Sequence, residues 1–333
     1  MPDTMQAVRY TQYGSPDVLQ PETVPVPTPT PDEVLIRVHA STVTAGDVNI
    51  RGFTFVPSGM KWMARLMFGL NGPNKKIQIL GTEVAGKIVA VGDAVTRYKV
   101  GDAVFGIDSR TLGGYAEYVT RKAEGALALK PENLTYAEAA ALSFGPGTAL
   151  FFLRDKANLQ PGQKVLVNGA TGGVGSAAVQ IAKALGAEVT GVCSTRNLEM
   201  VRELGADHVI DYTQTDFTQA GVLYDVIVNT VAGVLDYAKA APVLAENGHF
   251  IAVAGGLGEM VQSVWTKQII AGTPAENQAS IVEIKQLAEA GQIKPFIDGV
   301  YPLAETAAAH RYVDTQRKRS NVVIAVIGAD DAS

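Results

Sequence analysis

Residues Lys164 to Leu185 constrain this chain more than any other stretch of it. An apolar run, Lys164-Val-Leu-Val-Asn168, leads into Gly169-Ala-Thr-Gly-Gly-Val-Gly175, and that turn leads into Ser176-Ala-Ala-Val-Gln-Ile-Ala-Lys-Ala-Leu185. Val174, Ala177, Ala178, Ile181, Ala182 and Leu185 recur at helical spacing, so the stretch predicts a strand, a tight turn and a helix. The turn fits the spacing G-x-G-x-x-G with Ala170 in the first place, followed by Gly172 and Gly175. In such a turn the second glycine lets the backbone approach a pyrophosphate, and the third lets the helix pack closely on the strand. The helix N-terminus then offers N–H groups and the positive end of its dipole to the phosphates. A lone glycine triplet is often only a tight strand-to-helix turn, so the reading as a nucleotide site depends on what surrounds it.

A length of 333 residues predicts two domains or one large α/β domain. With 47% hydrophobic and 18% charged residues, the composition is that of a soluble globular enzyme. A net charge of -5 and the lack of a basic run give no reason to expect a nucleic-acid or anionic-membrane partner. One cysteine, Cys193, excludes an intrachain disulfide framework and a multi-cysteine zinc site, and fits a reducing compartment. The start, Met1-Pro-Asp-Thr-Met5, lacks a basic region followed by an apolar core, so no signal peptide is expected. No stretch approaches the roughly 20 apolar residues that cross a bilayer, and the expected location is cytoplasmic.

Residues 1 to about 120 read as β-rich, with candidate strands at Ala7–Tyr10, Val34–Val38, Val84–Val91, Ala103–Phe105 and Tyr115–Val119. The run Pro25-Val-Pro-Thr-Pro-Thr-Pro31 has proline at alternate positions and predicts an extended surface connection rather than a central strand. Between Arg51 and Ile79 lie Phe53, Phe55, Met60, Trp62, Met63, Leu66, Met67 and Phe68, with a short helix expected over Lys61 to Leu70. That helix reads either as packed on a β-barrel or as a mobile apolar wall of a substrate pocket.

From about Gly162 to Gly256 strands alternate with helices. Strands are expected at Glu188–Cys193, His208–Asp211, Asp225–Asn229 and Phe250–Ala254, with helices over Leu198–Leu204 and Leu235–Leu244. Continuous apolar strands between helices predict a parallel sheet covered on both faces, so the fold class is α/β. A helix is expected over Ala279–Ala290, and the strand Asn321–Ile327 reads as rejoining the first domain.

About 20 residues past the glycine turn, an NAD site places Asp or Glu to accept hydrogen bonds from the ribose 2′-hydroxyl. Here stands Ser194-Thr-Arg-Asn197. A 2′-phosphate needs donors and positive charge, which serine, threonine and arginine supply, and a carboxylate would repel it. Tyr212, after the third strand, adds a phenol donor or stacks against adenine. Arg196 read alone is a solvated residue at a helix start; read with the glycine turn, it selects NADPH.

On these residues the chain resembles the medium-chain dehydrogenase/reductase superfamily, and within it the zinc-independent quinone oxidoreductase and alkenal/enone reductase branch. The resemblance spans nearly the whole length. Its marks are Val165 to Leu185, Gly81-Thr-Glu-Val-Ala-Gly86, Val100-Gly-Asp-Ala-Val-Phe-Gly106, Gly113-Gly-Tyr-Ala-Glu-Tyr118, Leu204-Gly-Ala-Asp207 and Lys294-Pro295. It implies a Rossmann-type doubly wound parallel sheet plus a GroES-like β-barrel catalytic domain, with the active site in the cleft between them. The implied division is 1–125 for the first part of the catalytic domain, 126–270 for the NADPH-binding domain and 271–333 for a C-terminal part returning to the catalytic domain.

Zinc-dependent relatives carry Gly-His-Glu where this chain has Gly81-Thr82-Glu83, a cysteine near Ala45-Gly46-Asp47, and four cysteines in a structural lobe. Catalytic zinc needs three protein ligands, and His39, His208, His249 and His310 are scattered along the chain, so no metal is expected. Without a Lewis acid to polarise an alcohol or aldehyde, the resemblance implies hydride transfer from NADPH to a quinone or to the β-carbon of an α,β-unsaturated carbonyl. There the negative charge spreads onto a distant carbonyl oxygen.

Carried over position by position, Thr148 matches the nicotinamide side, and Gly172, Gly173, Val174 and Gly175 match the pyrophosphate turn. Ser194, Arg196, Asn197 and Tyr212 match the adenosine phosphate pocket, while Val231, Ala254, Gly255 and Gly256 match cofactor-lining segments. Arg319 and Asn321 match the family's final basic turn, which commonly has glycine where Ser320 stands. At the substrate end, Thr44, Asp47 and Asn49 match the loop that replaces the metal-site loop, although Asp47 also reads as a structural turn residue. The partners implied are a small-molecule quinone or enone and a second copy in a homodimer. Two other functions fit the same residues: a zinc-free reductase of another carbonyl or an enoyl thioester, and a non-catalytic NADPH-binding sensor or structural protein.

Overall fold

The computed structural model describes residues 1–54, 61–69, 72–219 and 221–327. It divides into two compact units: Met1–Ser143 with Glu276–Gln286 and Phe296–Ser333, and Phe144–Ala275 with Leu287–Pro295.

The first unit is β-rich, as its short alternating runs predict. A hairpin pairs β1 (Thr4–Arg9) with β2 (Gln20–Pro25). The main sheet contains β3 (Glu33–Thr42), β4 (Glu83–Val91), β5 (Ala103–Ile107), β6 (Tyr118–Lys122) and β7 (Leu127–Leu129). Val34, Ile36 and Val38 are spaced two apart on β3, so they share one face and meet Val84, Ile88, Val104, Val119 and Leu127 in a buried cluster. Tyr115 and Ala116 do not open β6 as expected. The carbonyl of Tyr115 instead accepts the Val8 N–H at 2.8 Å and Ala116 bridges to Ala7, which turns the chain before the strand begins.

The second unit holds β8 (Lys164–Asn168), β9 (Glu188–Cys193), β10 (His208–Asp211), β11 (Tyr224–Asn229), β12 (Leu244–Ala252) and β13 (Ile269–Ile270). Their spatial order is β10-β9-β8-β11-β12-β13, and every pair is parallel. The order reverses between β8 and β11, the position where doubly wound sheets bind their ligands. Val165, Leu166 and Val167 are fully buried because helices cover both faces. The helix expected over Leu235–Leu244 is reduced to Tyr237–Ala240 and a single turn, Ala241–Val243. Asp236 starts it by accepting the Lys239 N–H at 2.9 Å, but Pro242 has no N–H to continue the ladder, and β12 begins at Leu244.

The chain then returns to the first unit through β14 (Ile297–Pro302) and β15 (Asn321–Ala325), with Val323 opposite Thr42 on β3. Between these strands, the helix Thr306–Asp314 carries His310, which is completely buried. Arg51 Nη1 lies 3.2 Å from His310 Nδ1, and Arg51 Nη2 bonds both carboxylate oxygens of Asp314 at 3.1 and 2.9 Å. Because arginine only donates, His310 Nδ1 accepts and the ring proton sits on Nε2, 3.2 Å from the Tyr115 hydroxyl. That hydroxyl donates onward to the Thr42 carbonyl at 3.0 Å. The chain of bonds therefore has one direction and requires a neutral imidazole.

Burial, with the Arg51 charge, pushes His310 down from 6.5 to about 3. The unfolded chain binds this proton more readily, so the stability that His310 contributes is full above its ordinary value of 6.5 and is lost as pH falls toward 3. On lowering the pH from about 7.5 to about 5, thermal unfolding of the parent should therefore shift down more than that of His310→Gln. Parallel shifts in the two proteins would contradict a buried neutral His310.

Candidate functional site

At the carboxyl end of β8, Asn168 Nδ2 donates to Asn229 Oδ1 at the end of β11, at 2.9 Å. Asn229 Nδ2 donates to the Leu235 carbonyl at 2.8 Å, and Asn229 Oδ1 accepts the Val231 N–H at 3.2 Å. This asparagine pair joins the two strands at the point where the order reverses. Neither residue was among the sequence candidates; the signal available was a polar residue ending each of two apolar strands.

Gly169 turns the chain at φ +80, and a Cβ there would lie 2.5 Å from both Thr230 Oγ1 and Val231 Cγ2. The helix Gly173–Ala184 follows, with Gly172 as its N-cap, a residue with no side chain to bond the first N–H groups. Those groups have no acceptors within the helix and remain directed at whatever lies beyond its end. A Cβ on Gly175 would stand 2.0 Å from the Gly169 carbonyl oxygen, so the helix sits against the turn only because that carbon is missing. A Cβ on Gly172 would meet nothing closer than the Gly169 oxygen at 3.6 Å. The space over Gly172 is open to an anion, and the donors beside it fit a pyrophosphate.

Around this turn the structure gathers several of the expected residues. Val231 packs over Gly169, and the Val253 and Ala254 N–H groups reach the Asn229 carbonyl at 3.1 and 3.4 Å. Gly255 follows with its N–H on the Ala252 carbonyl at 3.2 Å. Thr148 is buried in the helix Phe144–Leu150, whose Gly145 approaches the Gly173 carbonyl so closely that a Cβ would be 2.5 Å away.

The residues expected at the adenosine end lie past β9. Ser194 opens the turn Thr195–Asn197, and its Oγ accepts Asn197 Nδ2 at 3.2 Å, which leaves the serine proton available for donation. Asn197 is buried, and its Oδ1 has no partner among the described residues. Arg196 and Tyr212 are exposed side chains, and the Tyr212 N–H is fixed to the Cys193 carbonyl at 3.1 Å. Thr195 does not supply the donor expected of it: its hydroxyl donates to Asp211 Oδ2 at 2.5 Å.

Arg319 and Asn321 belong to the first unit. Arg319 Nε and N donate to the two Asp298 oxygens at 2.9 and 2.8 Å, and its guanidinium lies 5.4 Å from the Phe296 ring centre. Asn321 Nδ2 donates to the Phe296 carbonyl at 3.2 Å and to Ser320 Oγ at 2.9 Å. Ser320 takes φ +61, the left-handed conformation that glycine adopts without strain.

Thr44, Asp47 and Asn49 lie together at the helix Ala45–Gly52. Thr44 is its N-cap: Thr44 Oγ1 accepts the Asp47 N–H at 3.1 Å, and Asp47 Oδ2 accepts the Thr44 N–H at 2.9 Å and hydroxyl at 2.6 Å. Asp47 Oδ1 accepts the Gly81 N–H at 3.0 Å. Full burial pushes the Asp47 carboxyl up, opposed by the bonds from Thr44 and Gly81 and by the Lys318 charge. Asn49 is exposed, and its Oδ1 accepts the Thr54 hydroxyl at 2.8 Å.

Nearby, Glu83 is buried and accepts the Thr42 hydroxyl, while Thr82 Oγ1 is buried with no partner among the described residues. Among the described residues no group of His, Cys, Asp and Glu side chains is placed to hold a metal. No helix of the described residues is long and apolar enough to cross a membrane. Of the segment Arg51 to Ile79, Phe55, Met60 and Leu70 lie outside the described residues. The helix Lys61–Phe68 presents Trp62, Met63 and Leu66 to solvent, and Phe53 is buried in the first unit.

Comparison with known proteins gives concordant matches. A family model described as "Alcohol dehydrogenase GroES-like domain" matches residues 30–132, and one described as "Zinc-binding dehydrogenase" matches 204–324. The chain is 34% identical to 2-methylene-furan-3-one reductase of Solanum lycopersicum over 97% of its length and 80% of that protein's. It is 32% identical to the chloroplastic NADPH-dependent alkenal/one oxidoreductase of Arabidopsis thaliana, over 97% of this chain and 80% of that one. Among solved structures, the quinone oxidoreductase from Coxiella burnetii superposes with a TM-score of 0.85 at 26% identity, covering 97% of this chain and all of that one.

The two glycines predict opposite phenotypes. Gly172→Ala should unfold near the parent's temperature but bind a dinucleotide at least about tenfold more weakly, whereas Gly175→Ala should lose thermal stability first. Calorimetry with a binding titration reads both, and unchanged affinity in Gly172→Ala would contradict the pyrophosphate cradle.

Proposed function

The chain belongs to the medium-chain dehydrogenase/reductase superfamily, in its quinone oxidoreductase and alkenal/enone reductase branch, and from that premise we propose that it is an NADPH-dependent reductase of quinones or α,β-unsaturated carbonyls. The observation that carries this reading is the bare, open Gly172 at a helix N-terminus beside the strand-order reversal. When bound there, the nicotinamide cofactor supplies a hydride to the electron-poor carbon of the acceptor.

The chain's own residues bind and orient. Gly172 to Gly175 receive the pyrophosphate on backbone N–H groups, and Thr148, Val231, Ala254 and Gly255 line the nicotinamide half. Ser194 and Arg196 offer the 2′-phosphate a hydroxyl proton and a guanidinium, with Asn197 and Tyr212 completing the adenosine end. In the first unit, Thr44 and Asp47 fix the start of the helix that carries Asn49, whose exposed amide is the group offered to the acceptor's carbonyl oxygen. Arg319 and Asn321 are assigned to the cofactor side. Support for the acceptor comes from the relatives' names: an alkenal/one oxidoreductase, a 2-methylene-furan-3-one reductase and a quinone oxidoreductase.

The reading extends to a cytoplasmic homodimer. What supports the dimer is the outer edge of β13, unpaired among the described residues, and the exposed Met260, Val261, Val264 and Trp265 of the helix before it.

Absorbance of NADPH followed across simple quinones, enals, enones, enoyl thioesters and saturated aldehydes should show turnover on quinones or conjugated carbonyls. It should show none on the saturated aldehydes. Tight NADPH binding without consumption on any of them would leave only a binding protein. Arg196→Ala should lower the affinity for NADPH relative to NADH by about tenfold or more, and an unmoved ratio would remove the 2′-phosphate assignment.

A further inference from the structure

Asp211 ends β10, and its carboxylate reaches across to the loop that follows the neighbouring strand β9. Asp211 is in register with Cys193, the last residue of β9. Its Oδ2 accepts the Thr195 hydroxyl at 2.5 Å, and its Oδ1 accepts the Thr213 N–H at 2.9 Å and hydroxyl at 2.7 Å. These bonds, Thr195 first and Thr213 next, hold the carboxyl below its ordinary range, so at neutral pH it carries a full charge. A fixed negative charge thus stands one hydrogen bond from the residue between Ser194 and Arg196.

Two consequences follow for a cofactor with a 2′-phosphate. First, the Thr195 proton is directed to Asp211, which leaves Ser194 Oγ–H and Arg196 as the donors of this turn. Second, a phosphate monoester carries a charge of about -1.5 to -2 at neutral pH, and a carboxylate in the same loop cluster repels it without touching the unphosphorylated ribose of NADH. We infer that Asp211 is a specificity-determining residue whose charge narrows the preference for NADPH over NADH. The inference rests on the reading of Ser194 and Arg196 as the 2′-phosphate pocket. It differs from a role in which Asp211 only clamps two loops, because a clamp would serve both cofactors alike.

Dissociation constants for NADPH and NADH, read from nicotinamide fluorescence without any acceptor present, separate these roles. Asp211→Asn keeps an oxygen acceptor for the threonines and removes the charge, and Asp211→Ser gives the same readout with a shorter neutral group. Either variant should raise the NADPH-to-NADH affinity ratio by about three- to tenfold, and the gain should shrink as salt is raised toward about 0.5 M. Thr195→Val breaks the main hydrogen bond but leaves the charge, so its ratio should stay at or below the parent's. An unchanged ratio in both Asp211 variants, an equal change for both cofactors, or a rise in Thr195→Val as large as in Asp211→Asn would each overturn the inference. The Arg196→Ala ratio judges the phosphate pocket separately: if it falls while the Asp211 variants stay level, only the role of Asp211 is lost.

Discussion

The nucleotide unit depends on one close approach. The helix Gly173–Ala184 can rest on the end of β8 only because Gly175 has no side chain, its missing Cβ falling 2.0 Å from the Gly169 carbonyl oxygen. With that contact made, the helix starts at the carboxyl end of β8, and the Asn168–Asn229 bond holds the ends of β8 and β11 together. Val231 bonds the side-chain oxygen of Asn229 and Val253 and Ala254 reach its backbone oxygen, with Gly255 next along the chain. The open helix start that the proposal gives to a pyrophosphate is thus a product of packing.

The carboxylates Asp47 and Asp211 show how environment assigns different tasks to one residue type. Asp47 is enclosed in the first unit, and desolvation outweighs the bonds from Thr44 and Gly81, so its carboxyl is raised. Asp211 lies at the surface, where hydrogen bonds from Thr195 and Thr213 outweigh a small burial effect, so its carboxyl is lowered. The first is suited to capping a helix that presents Asn49; the second is suited to holding a charge beside the turn Thr195–Asn197. His310 is a third case, kept neutral by burial so that it can relay a hydrogen bond from Arg51 to Tyr115.

What was legible in the sequence was local. The strands at Glu188–Cys193 and His208–Asp211 have the expected ends because short apolar runs are bounded by turn residues on both sides. The glycine turn and the helix after it follow from spacing alone, and the two-part fold from the switch between alternating strands and strand-helix units. Over Leu235–Leu244 the apolar spacing predicts a longer helix than forms, because Pro242 ends the hydrogen-bond ladder after one turn. Contacts between distant positions carried no local mark. Thr195 and Asp211 are 16 residues apart and meet only because β9 and β10 are neighbours, and Arg51 and His310 are 259 apart. Thr195 thus reads as a phosphate donor in the sequence and donates to Asp211 in the fold.

The central claim is that a nicotinamide cofactor whose pyrophosphate rests on Gly172 to Gly175 gives its hydride to a conjugated acceptor. Mass spectrometry of an enone product formed with NADPH deuterated at C4, using each of the two stereoisomers in turn, tests it most directly. One stereoisomer should place a single deuterium on the β-carbon and the other none. Product without deuterium from either stereoisomer, or no product while NADPH remains bound, would contradict the account.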